Sequence, residues 1–550
     1  MYHIFNDVLD GSYHVGQSTY GDLSLHLAVA TSIVGARFPL HNSLMLGATM
    51  AYPYLSDSIA STMLVFGMEL NTAMALTGTL MMTLTFAGYA LLCLQLCRRK
   101  GAAYLAFFLL FLNGGLGFIY TIDATVDGYS VTRLWDNVKT VMEGYYQTPT
   151  NQPDPHNLRW VNIICDMLVP QRGILGGWTM LMPCLNLLLP PLCRRRRQNV
   201  REWVLLGLFA GGMPLIHTHS YLALALLSAG CCLYCVGTAR QKWPAFRPWL
   251  IYGAIAAALS LPQLFAFTFV QATGSDHFLR FQFNWCNNRG GRGLVDPYFW
   301  FYVKNIGLPY LLILLALCER APKGQPVPEH LRQNRLIACG AFLIYLIAEF
   351  ILFQPNEYDN NKLLYVWFLL CLPMAADYAV LVYERLKGIS GRRLIAAGFV
   401  ITCFLSASLT VARECVSDYH AYSRYDIETA EYVKQHTPEH SVFLTGNQHL
   451  NPVSSLAGRT ILCSSDLYLY YHGFNTGARR AEIAAFYEDP AANLDLLKKY
   501  QVQYIYVSAY ERADGQYDLN EDALESLFPL AFETAGGHNR IFEVPGEYRQ

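Results

Sequence analysis

Apolar residues in this chain run in blocks of about twenty, set apart by short polar stretches. The blocks lie at roughly 70–97, 102–121, 173–193, 202–217, 219–237, 248–270, 298–318, 334–353, 362–383 and 392–412. Most are long enough to cross about 30 Å of hydrocarbon at about 1.5 Å per helical residue. The pattern predicts a mainly α polytopic membrane protein with about ten transmembrane helices. The two blocks at 202–237 are split by a very short turn that carries Pro214, His217 and His219. Shorter apolar runs after Gly21 and after Tyr54 read as helices lying at the membrane surface, although the alternation at 23–27 also suits a short strand. The pattern changes near Ser423, where helix-like segments (426–435, 478–487, 490–499) interleave with strand-like ones around Val442, Thr460, Tyr504 and Ile541. Three parts follow: a first external loop over 1–69, a helix bundle over 70–412, and a small α/β domain over 413–550.

Charge orients this arrangement. Basic clusters fall in alternate loops: Arg98 to Lys100, Arg194 to Arg197, Arg240 with Lys242 and Arg247, Arg320 with Lys323, Arg332 and Arg335, and Arg385 with Lys387, Arg392 and Arg393. Ten spans put all five clusters on one side, which the positive-inside rule makes cytoplasmic. Residues 1–69, the loops 122–172, 271–297 and 354–361, and the tail then lie outside. Arg37 is the sole Lys or Arg in 1–69, whereas Arg280, Arg289 and Arg292 run against the trend. Both ends of the chain are thereby outside, which leads us to expect a further apolar helix encoded upstream of Met1. The chain is expected in a bacterial cell membrane, with its N-terminal loop and C-terminal domain extracytoplasmic.

Composition agrees with a membrane protein. Hydrophobic residues make up 53% of 550 and charged residues 15%, against roughly 25% charged in soluble domains. A net charge of −1, with no basic-aromatic patch, argues against nucleic acid as a partner. The 15 cysteines show no zinc spacing; Cys232 and Cys235 form a lone CxxC inside an apolar run.

Chemistry is sought where polar groups collect near the outer face. Asp22 and His26 are four residues apart and would share one helix face, with Asp22 as an N-cap or a functional carboxylate. Asp57, behind Tyr52-Pro53-Tyr54, either caps a helix or lines a site. Arg172 in Val169-Pro170-Gln171-Arg172 can hold a phosphate or snorkel to headgroups. His217 and His219 have poor spacing for a metal on a helix and suit hydrogen bonding to a substrate. Asp359 and Lys362 close the polar loop 354–361, where a lysine at a helix start is a natural phosphate partner. Such a set could activate a hydroxyl and steady a leaving phosphate.

Gly21-Asp22-Leu23-Ser24-Leu25-His26, Tyr52-Pro53-Tyr54-Leu55-Ser56-Asp57, Pro170-Gln171-Arg172, Asp359-Asn360-Asn361-Lys362 and Ala457-Gly458-Arg459, in this order, resemble the membrane glycosyltransferases of the GT-C fold. That superfamily includes oligosaccharyltransferase catalytic subunits, protein O-mannosyltransferases and aminoarabinose transferases; the chain looks closest to uncharacterised bacterial members. The resemblance implies a polyprenyl-phosphate-linked sugar as donor, Asp22 as catalytic base and His26 as its neighbour, tuning it or binding donor phosphate. The acceptor would be a glycan, lipid or protein hydroxyl, with membrane lipids as surroundings. A paired acidic motif common in the family is Asp22-Leu23 here. The metal motif of the oligosaccharyltransferase branch has no clear match among Asp123, Asp127, Asp136 and Asp154. No obligate metal or cofactor is expected, with a divalent metal as the alternative. The competing functions are a flippase or transporter for a lipid-linked glycan and a non-catalytic scaffold of the same fold.

Overall fold

A computed structural model describes residues 4–6, 9–36, 38–122, 130–143, 148–154, 156–196, 198–272, 278–321, 323–513 and 515–549. Asp123, Asp127, Arg37 and Arg197 lie outside the described residues. The chain divides into two compact units. One comprises Met1–Thr77, Phe265–Phe278 and Asp418–Gln550; the other comprises Gly78–Leu264 and Leu279–Ser417.

The first unit joins the start of the chain to its tail. Strand Tyr13–Val15 pairs antiparallel with both Ile4–Asn6 and Tyr419–Tyr422. The tail carries a five-stranded sheet in the order Thr460–Ile461, Val442–Leu444, Tyr504–Val507, Arg540–Glu543, Leu530–Glu533. The first three strands are parallel and the rest antiparallel. Strand Val442–Leu444 is buried at all three positions, as a strand covered on both faces must be. Helix Arg424–His436 begins with a capping box between Ser423 and Asp426, which satisfies two amides that the first turn would leave orphaned. Leu23, Leu27 and Ala30 share one apolar core with Val433, Phe443, Val453, Leu456 and Ile461. Gly458, at φ +68°, lets the tail backbone approach the Leu23–Ser32 helix; a Cβ there would sit 2.7 Å from the Thr31 carbonyl carbon.

Each of the ten apolar blocks folds as helix. Seven helices are long and apolar enough to cross a membrane: Leu70–Leu96, Arg172–Cys193, Thr218–Thr238, Lys242–Thr268, Glu329–Phe350, Glu357–Gly388 and Arg392–Val416. Three blocks differ from the simple expectation. Lys100–Leu112 and Val200–Gly211 have 13 and 12 residues, or about 20 Å of helix. The block at 298–318 is two helices, Tyr298–Ile306 and Leu308–Cys318, bent by 115°. Gly307 sits at the bend with φ +80°, a conformation that a side chain would strain. The candidate spans thus number seven, or eight with the bent pair, among the described residues. The chain is an integral membrane protein with a mainly helical membrane region and a small sheet-bearing tail.

Helices Thr218–Thr238 and Glu329–Phe350 approach closely through two glycines. A Cβ on Gly230 would meet the Cys339 carbonyl oxygen at 2.5 Å, and one on Gly340 would meet the Leu227 carbonyl oxygen at 2.6 Å. Small residues at such seams let backbones touch where lipid offers no hydrophobic drive.

Candidate functional site

In the first unit the site starts from helix Leu23–Ser32. Its residues 23–30 are all buried, which explains why the sequence showed no polar helix face to decide between the helix and the short strand that the alternation at 23–27 also suited. The His26 backbone N–H donates to the Asp22 carbonyl at 3.2 Å, confirming the helical register. Asp22 occupies the N-cap position, yet its side chain takes no capping hydrogen bond. Two tail residues stand over this helix start. His449 Nε2 lies 3.1 Å from the Tyr20 carbonyl oxygen, and the Tyr468 hydroxyl donates to the Gly21 carbonyl at 3.2 Å. The His449 ring lies between Tyr20 and Tyr468, with centroids 5.6 and 5.0 Å away. The Asp22 charge acts on both His449 and Tyr468.

His26 is committed elsewhere. Its Nδ1 lies 2.9 Å from Asp57 Oδ2, and both side chains are buried. Tyr52 meets the His26 ring edge-on at 5.9 Å, and His472 stands 5.0 Å beyond Tyr52. The two sequence motifs are therefore brought together, with Asp57 spent on His26.

Burial holds the His449 imidazole below its ordinary value of 6.5, although the Tyr20 and Gly21 backbone and the Asp22 charge act in the other direction. The neutral ring is favoured in the fold, so its contribution to stability is present above pH 6.5 and lost as the pH falls below it. Acidification below about pH 6.5 should lower the melting temperature of the chain, and His449→Gln should reduce that dependence. A melting series across pH for the two proteins checks this; parallel curves would count against it.

In the second unit the structure gathers four of the expected residues. Asn360 fixes the polar loop by donating from Nδ2 to the Ala348 and Ile351 carbonyls, both at 2.8 Å. Lys362 then enters the helix Asn361–Arg385 with its Nζ 3.0 Å from Asp359 Oδ1. The charges of Lys362 and Asp359 reach His219, and that of Lys362 reaches His217. The two histidine rings are 5.6 Å apart. His217 caps helix Thr218–Thr238 by accepting the Ser220 N–H on Nδ1. That bond assigns the lone pair to Nδ1 and the proton to Nε2. The Nε2 atoms of both histidines are buried without a partner among the described residues. A donor left so costs about 1–3 kcal/mol unless a ligand or water accepts from it. Asn361 is fully buried, and neither of its amide atoms has a partner among the described residues. Gly177 makes room for this arrangement, because a Cβ there would lie 2.4 Å from the His217 Cβ. Arg172 is buried at the first position of helix Arg172–Cys193.

Sequence reasoning missed His449, Tyr468 and Asp166, and carried Asn361 only within the Asp359-Asn360-Asn361-Lys362 motif. The first two are brought to the Tyr20 and Gly21 carbonyls from more than 400 residues away, and no local pattern marks them. Asp166 lies on a π-turn, Ile164–Leu168; burial and the Glu414 charge push its carboxyl up to about 7. Among the described residues no three His, Cys, Asp or Glu side chains converge as a metal site would require. Asp154 faces Arg289 at 3.1 Å, and Asp136 is exposed.

No protein-family model and no curated protein sequence matches the chain. Solved structures do. The oligosaccharyltransferase AglB of Archaeoglobus fulgidus, in complex with an inhibitory peptide and a dolichol-phosphate, superposes with a TM-score of 0.53 at 10% identity, covering 100% of this chain and 74% of that one. The same archaeal enzyme tethered to an acceptor peptide gives 0.51 at 10% identity, covering 99% and 72%. Its complex with Zn and sulfate gives 0.52 at 12% identity, covering 97% and 70%. A membrane helix bundle with a small α/β tail and this likeness define the fold as that of the GT-C class. The fold expected from the Asp22, Tyr52 to Asp57, Arg172 and Lys362 motifs is the fold found.

Proposed function

We propose that this chain is a membrane glycosyltransferase that moves a sugar from a polyprenyl-phosphate donor to an acceptor hydroxyl on the extracytoplasmic face. Asp22 takes the proton of the acceptor hydroxyl as its oxygen bonds to the sugar's anomeric carbon. The bond from that carbon to the phosphate oxygen breaks with inversion, and its electron pair leaves on the polyprenyl phosphate. The observation that carries this reading is Asp22 itself. It is a carboxylate at a helix start, and its charge reaches the histidine and the tyrosine that the tail brings over that start. His26 and Asp57 are positioning residues that fix the two helices behind it.

In the second unit, Lys362 and the proton-bearing Nε2 of His217 supply a cation and a buried donor suited to phosphate oxygens. His219 extends that set, Asp359 orients the lysine, and Arg172 is the further cation. The AglB complex with a dolichol-phosphate lends support to a lipid phosphate as the donor class.

The test uses the full chain in lipid nanodiscs with labelled polyprenyl-phosphate hexoses. A new glycosidic product supports the reading. Lys362→Gln should raise the KM for the lipid donor by about 10- to 100-fold, the worth of one charge-assisted hydrogen bond. In liposomes, label that changes leaflet without forming a product would identify a flippase and overturn the assignment.

A further inference from the structure

A groove runs across the tail from His449. Its first hollow, about 390 Å³, is lined by His449, Asp466, Tyr470, Tyr471, Arg480 and Tyr510. A second, about 310 Å³, continues past Asn447 and Arg480 to Gln516 and Tyr517. A third, about 450 Å³, continues past Tyr517 to Asp518 and Arg512. Each hollow shares lining with the next, Asn447 and Arg480 between the first two and Tyr517 between the last two, so together they suit an extended ligand.

We propose that this groove binds the acceptor, and that the acceptor is a neutral oligosaccharide. The inference rests on the glycosyltransferase reading above and names the substrate class of that site. Three observations carry it. The groove starts at His449, whose ring the Asp22 charge reaches and whose Nδ1 is buried without a partner among the described residues. The Nε2 of the same ring faces the Tyr20 carbonyl oxygen and the Tyr468 hydroxyl, which leaves Nδ1 as an acceptor with no donor among the described residues. A sugar hydroxyl supplies the missing donor.

The walls are aromatic and polar together. Tyr470 and Tyr471 are 57% and 38% exposed, and their rings stand 5.6 Å apart in the lining of the first hollow. A tyrosine ring offers a flat apolar face for the C–H face of a pyranose and a hydroxyl at its edge. Planar polar groups stand beside the rings. Arg480 pairs with Asp466, and Asn447, in the orientation that satisfies both neighbours, accepts from Arg480 Nε at 2.8 Å and donates to the Tyr517 hydroxyl at 2.7 Å. Such pre-ordered groups fix hydroxyls in place at little entropic cost.

Charge and topology choose a glycan over a peptide. Four charged residues of the groove are matched with one another: Arg480 with Asp466, and Arg512 with Glu521 through two hydrogen bonds of 2.8 and 2.6 Å, while Asp518 at the far end stands outside these pairs. A strongly charged chain would find no unmatched counter-charge in these pairs. The lining residues come from helices and loops, and none belongs to a strand, so no sheet edge is offered for an extended peptide to extend.

The experiment measures binding without donor, so its outcome is independent of turnover. The full chain in nanodiscs is passed over an array that carries linear glucan, mannan and N-acetylglucosamine oligomers beside a library of extended peptides. We expect retention on at least one oligosaccharide series, stronger for longer oligomers. Tyr470→Ala with Tyr471→Ala should weaken that binding about tenfold, the worth of aromatic stacking, with the melting temperature measured alongside. Glu488→Ala, outside the groove, should bind as the parent does. Retention on peptides alone, retention on neither series, or oligosaccharide binding that is indifferent to the two tyrosines overturns the proposal. Sugar transfer to a peptide would sink this inference and leave the glycosyltransferase reading standing. Glycan binding without any transfer would do the reverse.

Discussion

Replacing Asp22 by asparagine is expected to lower sugar transfer by about 10²- to 10⁴-fold, the contribution of a positioned general base. Asparagine has the size of aspartate but cannot take a proton. The fold should tolerate it, because the amide keeps the shape of the side chain and one oxygen that accepts hydrogen bonds. The cost in stability is the lost attraction of a carboxylate to a helix N-terminus, about 0.3–1 kcal/mol. Initial rates with labelled donor, measured beside the melting temperature, separate the two quantities. Asp22→Glu keeps the base but moves it by one methylene, and should fall between the parent and the asparagine variant. Full activity in Asp22→Asn would remove Asp22 from the mechanism. A collapse of the fold would show its carboxylate to be structural.

The second large effect is expected at Asp57. Its carboxylate is fully buried and meets His26 Nδ1 at 2.9 Å. Asp57→Ala leaves a buried imidazole nitrogen without that partner and should destabilise the protein by about 3 kcal/mol. His26→Ala leaves the buried Asp57 carboxylate without that partner and should cost at least as much, and the double variant should cost less than the sum, because one interaction is removed in both. Denaturant unfolding of the four proteins gives the coupling directly; additive costs would mean that the two residues act separately. Transfer per folded molecule should also fall in Asp57→Ala, through kcat more than KM, because the pair fixes the helix that starts at Asp22 and does not touch the donor. A KM effect of the same size would instead make Asp57 a donor ligand.

The sequence was most informative where structure is local. Blocks of about twenty apolar residues can be satisfied in hydrocarbon only as helices, and each of the ten blocks is helical. The strand-like runs of the tail appear as Val442–Leu444, Thr460–Ile461, Tyr504–Val507 and Arg540–Glu543, because alternating and β-branched residues suit a pleated surface. Leu530–Glu533 was not anticipated, since its run is short and pairs only at the sheet edge. The bend at Gly307 was hidden because apolarity continues through it, and only the backbone angle records the turn.

For the site, residue type pointed to Asp22, His26, Asp57, Arg172, His217, His219, Asp359 and Lys362, each an expensive polar group beside an apolar run. It did not say which would meet. His26 shares a helix with Asp22, and local spacing suggested that they act together; the fold gives His26 to Asp57. The spacing of His217 and His219 suited hydrogen bonding more than a metal, and in the fold Ser220 occupies His217 Nδ1 and leaves Nε2 as a donor. His449 carries no signal at all in its own neighbourhood. It reaches the Asp22 helix because strand Tyr13–Val15 pairs with Tyr419–Tyr422 and the first segment shares the core of the tail.

The sequence by itself therefore determined that the chain is a membrane helix bundle with an α/β tail, and which polar residues were worth a role. Burial in hydrocarbon and side-chain alternation are properties of neighbouring positions, so they can be read along the chain. Tertiary structure alone decided the partners: Asp57 for His26, His449 and Tyr468 over the helix start at Asp22, and Asp359 with Lys362 beside the two histidines. Those choices depend on which surfaces pack once the chain has closed loops of tens to hundreds of residues, and no local pattern encodes that.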